Sequence, residues 1–77
     1  MLFILAADDR QARAAANWLE LHPKQWRNVR DGDELRGLDG AKMLLFGAYT
    51  KHPRYEYIME VARRCRTFVS TLEDLRL

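Results

Sequence analysis

Seventy-seven residues, 48% of them apolar and 31% charged, with a net charge of +2, describe one small domain near the lower limit of what folds without staples. A single cysteine, Cys65, excludes an intrachain disulfide, so packing alone must hold the core, as suits a reducing compartment. The longest apolar stretch, residues 1–7, is far short of the roughly 20 residues of a membrane span, and no basic n-region precedes Met1-Leu2; neither anchor nor secretory signal is expected, and the chain reads as cytoplasmic.

Residues 2–7 are continuously apolar, the pattern of a strand buried on both faces. Asp8 or Asp9 is then a natural N-cap, because a carboxylate there accepts from the free N–H groups one turn on. The following helix places Ala12, Ala15, Ala16 and Leu19 on one stripe, and the small alanines predict close approach to a sheet. Trp18 falls beside that stripe, and Pro23 marks the helix end. Gln25 to Arg30 is a weaker strand with Trp26 and Val29 as its apolar members. Asp31-Gly32-Asp33 signals a turn, with Asp33 as cap of a single helical turn and Leu35 and Leu38 facing inward. A second buried strand covers residues 41–47. Pro53 suits the first turn of a second helix, in which Tyr55, Ile58, Ala62 and Cys65 form an apolar stripe and Glu56, Glu60 and Arg64 a solvated one. Thr67 to Thr71 is β-branched and aromatic, a last strand. The leucines of the tail, Leu72, Leu75 and Leu77, need cover.

Residues 1–77 therefore form one α/β domain, β-α-β-turn-β-α-β. Right-handed crossovers give an open, mainly parallel four-stranded sheet of order 2-1-3-4 with one helix on each face. Ligands in such sheets sit at the carboxyl ends of the strands, at the switch point between the first and third. The candidate surface there joins Asp8, Asp9 and Arg10 to Gly47, Tyr49, Lys51, His52 and Arg54.

The chemistry-bearing motifs are few. The chain has neither Gly-x-Gly-x-x-Gly nor Gly-Lys-Ser/Thr, so no dinucleotide or P-loop site is expected. One cysteine and two histidines thirty residues apart, His22 and His52, cannot make a zinc cage. Asp8 and Asp9 have the hard oxygen ligands that Mg²⁺ prefers; the plainer reading makes one a cap and leaves the other in solvent, paired with Arg13 at i+4. Neither metal nor cofactor is assigned. Tyr49 to Tyr57 mixes aromatics and cations at a helix start, which suits an anion or a protein interface; otherwise Tyr55 packs inward while Thr50 or His52 caps the helix. His52 has no nucleophile to serve, so no catalytic residue is assigned. Arg63, Arg64 and Arg66 end a helix, where its dipole favours cations, and no wider basic face accompanies them to suggest nucleic acid.

An apolar strand ending in Asp8-Asp9, then Arg13, then a strand leading to Asp31-Gly32-Asp33-Glu34-Leu35, resembles the front of a response-regulator receiver domain, of flavodoxin-like fold. In receivers the acidic pair binds Mg²⁺, an aspartate ending the third strand accepts phosphoryl, and Thr or Ser ends the fourth. Here the third strand ends Phe46-Gly47-Ala48 without an acid, Ser70 or Thr71 matches the fourth, and the fifth strand with its lysine is missing. The resemblance therefore implies a truncated relative unable to take phosphoryl. Gln25-Trp26-Arg27, Leu35-Arg36-Gly37-Leu38 and the next strand also resemble small proteins of actinobacterial phages, which implies an accessory role.

Two functions follow as expectations. One is a self-associating interaction module with a protein partner, its oligomer interface built on Trp26, Leu72, Leu75 and Leu77, because two helices cannot hide all the apolar surface. The other is a module binding a nucleotide or phosphate at the strand ends through Lys51 and Arg54.

Overall fold

The computed structural model describes residues 1–71, so the tail leucines Leu72, Leu75 and Leu77 lie outside the described residues. Its elements are β1 (Leu2–Leu5), α1 (Asp9–Trp18), β2 (Trp26–Asn28), a 3₁₀ turn (Asp33–Leu35), β3 (Lys42–Leu45), a second 3₁₀ turn (Tyr49–Lys51), α2 (Tyr55–Arg64) and β4 (Phe68–Thr71). The four strands form one parallel sheet of order β2-β1-β3-β4, the arrangement that the crossover rule predicts.

Alternation along the central strands divides the core in two. Phe3, Leu5, Met43 and Leu45 meet Ile58, Val61 and Ala62 of α2, with Val29 and Leu35 completing that cluster. Ile4, Ala6 and Leu44 meet Ala12, Ala15 and Ala16 of α1 on the other face. The two middle strands are thus covered on both sides, which is why they read as continuous apolar runs rather than alternating ones. Ile4, Leu5, Met43 and Leu44 retain no exposed area.

Helix α1 begins where Asp8 accepts a hydrogen bond from the Gln11 N–H at 2.9 Å. It ends at Trp18, five residues ahead of the expected stop at Pro23. The Glu20 N–H donates to Asn17 O at 3.0 Å and the Leu21 N–H to Ala16 O at 2.9 Å, a Schellman pattern with Glu20 at φ 57°. Helix α2 closes the same way: Arg66 donates to Arg63 O at 3.3 Å and Thr67 to Ala62 O at 2.9 Å, with Arg66 at φ 55°. Local hydrogen bonding, and not proline, stops both helices.

Other expectations shift in detail. Leu38 is 42% exposed and Trp18 58%, so Leu38 does not join Leu35 inside. Asp33 opens the first 3₁₀ turn but does not cap it; Gly32 holds that place at φ 96°. A Cβ on Gly32 would also lie 3.3 Å from the Tyr57 ring, so the turn rests directly on α2. The turn is held from within by Glu34, whose carboxylate accepts from the Arg30 and Gly32 N–H groups, both at 3.0 Å. Pro53 precedes α2 by two residues and lies outside its first turn.

Candidate functional site

The switch point between β1 and β3 is spanned by a side chain. Gln11, in the first turn of α1, accepts a hydrogen bond from the Ala48 N–H at its Oε1, at 3.1 Å. The same oxygen lies 2.6 Å from where a Cβ on Gly47 would stand, and Gly47 has φ 60°. Glycine is therefore required there twice, for the left-handed backbone and for room beside Gln11. Gln11 was not among the predicted site residues. A glutamine three positions after an N-cap, opposite a strand–glycine end, is the signal that would have pointed to it.

The structure parts the acidic pair. Asp8 is engaged as the cap of α1. Asp9 turns toward β2, where the Asn28 side-chain amide donates to Oδ1 and Arg30 Nη2 lies 3.7 Å from Oδ2. The expected i+4 pairing of Asp9 with Arg13 is replaced by this pairing across elements. Among the described residues no group of three or more His, Cys, Asp or Glu side chains could hold a metal ion. Arg10 is exposed.

The segment after β3 forms its own cluster. Tyr49 and Tyr55 meet at 5.9 Å between ring centroids with their planes tilted by 46°, and both pack on the α2-side core. Tyr55 thus faces inward, as the plainer reading of this segment held. His52 Nδ1 accepts from the Arg54 N–H at 3.0 Å, which shapes the turn into α2, although no side chain caps the helix itself. The Arg54 guanidinium lies over the Tyr57 ring at 4.9 Å, and Arg36 approaches the same ring at 5.9 Å. The Tyr57 hydroxyl accepts a hydrogen bond from Arg36 Nη2. That hydroxyl first, then Asp33 at 3.3 Å, holds the Arg36 guanidinium above its ordinary range. Lys51 is exposed at the end of its 3₁₀ turn. Arg54 is thus engaged on Tyr57, and the predicted surface resolves into two neighbouring clusters with separate tasks.

At the two sheet edges the chemistry differs. Beside β2 lie Arg27, Arg30 and Asp9, and Trp26 is half-buried against the α1-side core. Beyond β4 the described residues hold no further strand. Residues 67–71 carry no charge, and Phe68 is 67% and Val69 40% exposed. No helix among the described residues is long and apolar enough to cross a membrane. Compared with protein-family models, curated proteins and solved structures, the chain matches none of them.

Proposed function

We propose that this domain is a non-enzymatic interaction module that self-associates through the β4 edge and leaves its remaining surface for a protein partner. The observation that carries the reading is the contrast between the two edges. An edge strand presents backbone N–H and C=O groups to any other strand, and proteins ordinarily blunt such edges with charge, proline or cover. The β2 edge has charge, in Arg27 and Arg30. Along the β4 edge Phe68-Val69-Ser70 is uncharged and rich in β-formers, with Phe68 67% exposed. A second copy related by a two-fold axis would set its β4 antiparallel to the first and extend the sheet through both molecules. Phe68 would then be covered by its counterpart.

Light scattering after size exclusion, over a concentration series, tests this directly. The expected result is a dimer for the wild-type chain and a monomer for Phe68→Lys, whose exposed position makes the change harmless to the fold. A wild-type chain that stays monomeric at every concentration would overturn the proposal. A Phe68→Lys variant that dimerises as well as the wild type would do so equally.

A further inference from the structure

A groove of about 380 Å³ runs between α1 and the β2 edge; it shares Asp9 with the strand-end surface but includes no residue of the segment 47–54 or of β4. Asp9, Arg13, Trp26, Arg27, Asn28 and Arg30 line it. Its volume falls in the range of small-ligand sites, and its charge is unbalanced. Asp9, the single carboxylate in the lining, is engaged by Asn28 and by Arg30. Among the described residues Arg13 forms no ion pair, and Arg30 meets Asp9 only at 3.7 Å with both side chains exposed, so a phosphate can compete for its guanidinium. Guanidinium groups offer planar forks of donors that match phosphate oxygens. Trp26 adds a flat apolar wall whose position is fixed, because the α1-side core supports it from behind. A base can stack on such a ring whatever its identity.

We propose that this groove binds a nucleoside phosphate, free or as one unit of a single strand, with the base on Trp26 and the phosphate between Arg13 and Arg30. The combination selects this class. Bare phosphate would leave the indole unused, and an uncharged aromatic would leave the arginines unused. The side-chain amide of Asn28 stands in the lining, where its carbonyl or its second N–H can meet a base edge. The proposal is independent of the β4 edge, so either can fail without the other.

Tryptophan fluorescence of the full chain tests it, in a Trp18→Phe background so that only Trp26 emits; Trp18 is 58% exposed, so its replacement spares the fold. Adenosine monophosphate is expected to quench Trp26 saturably. Adenosine, lacking the phosphate, should bind about tenfold more weakly or worse. Inorganic phosphate should displace the nucleotide without quenching by itself. Arg13→Gln and Arg30→Gln should each weaken binding by about tenfold, and Lys51→Ala, on the other side of the sheet ends, should not change it. Both arginines are exposed, and unchanged melting temperatures would verify that the variants fold. A short oligodeoxyadenylate that binds more tightly than the monophosphate, with affinity falling steeply as salt rises, would assign the ligand to a strand; equal or weaker binding would assign it to free nucleotide. No quenching at millimolar adenosine monophosphate would overturn the proposal. So would adenosine binding as well as its phosphate, or full affinity in both arginine variants.

Discussion

Glu20 and Arg66 stand in the left-handed region at φ 57° and φ 55°, each one residue past the C-cap of its helix. A side chain with a Cβ pays about 1 kcal/mol or more for that conformation, and glycine does not. Both side chains are exposed, and none of the described hydrogen bonds or ion pairs involves either side chain. Glu20→Gly and Arg66→Gly are therefore expected to raise stability by about 0.5–1 kcal/mol each, read as a higher denaturant midpoint at unchanged slope. They lie on different helices, so the double variant should show nearly the sum. A loss of stability in either would mean that the side chain has a role the helix geometry does not reveal. These positions also show a limit of reading at the residue scale. Neither Glu nor Arg signals a helix end, whereas Pro23 does, and α1 nonetheless ends at Trp18, five residues before the proline.

At the scale of elements, the joint between α1 and the end of β3 is the most constrained contact. Gln11 reaches from the helix to the Ala48 N–H, and Gly47 leaves it room. A double-mutant cycle separates the two reasons for glycine. In the wild-type background Gly47→Ala should lose the conformational cost of about 1–2 kcal/mol plus the cost of the 2.6 Å clash with Gln11. In a Gln11→Ala background only the first should remain, and Gln11→Ala alone should lose about 1 kcal/mol for its hydrogen bond. Additive losses would show that the Gln11 side chain does not press on position 47. The 3₁₀ turn at Asp33–Leu35 is a second joint, held by Glu34 to two backbone N–H groups and seated on Tyr57 through Gly32. Asp-Gly-Asp announces a turn in the sequence. That Glu34, and not either aspartate, ties down Arg30 and Gly32 depends on how the chain bends and is invisible before folding.

For the whole molecule, one layer of sheet between two helices leaves a thin core with no redundancy. Leu44 lies in the α1-side cluster and Met43 and Leu45 in the opposite one, so β3 serves both. Leu44→Ala removes a side chain with no exposed area, at about 2–5 kcal/mol. A domain of this size holds only roughly 3–5 kcal/mol in all. The variant is expected to be largely unfolded at room temperature, seen as loss of the helical circular-dichroism signal and of the cooperative thermal transition. A cooperative transition retained within a few degrees would mean that association at β4 supplies stability the single chain lacks. The self-association experiment on Phe68→Lys belongs to the same scale, since it asks whether the exposed edge is a free surface or half of an interface.

The order of elements, the parallel sheet, the two apolar faces and a cap at the Asp8-Asp9 pair, though not which of the two supplies it, were legible in the sequence, because each follows from periodicity, from the crossover rule or from local hydrogen-bonding chemistry that acts over a few residues. Ala12, Ala15 and Ala16 announced the close helix, and the apolar runs announced strands covered on both sides. The tertiary structure alone decided where Asp9 turns, what fills the switch point and which arginines share a groove with Trp26. Those outcomes join residues far apart in the chain: Gln11 with Ala48 at 37 positions and Asp9 with Asn28 at 19. No local pattern encodes such pairings, since they depend on strand register and helix placement, which are settled only when both faces of the sheet are packed.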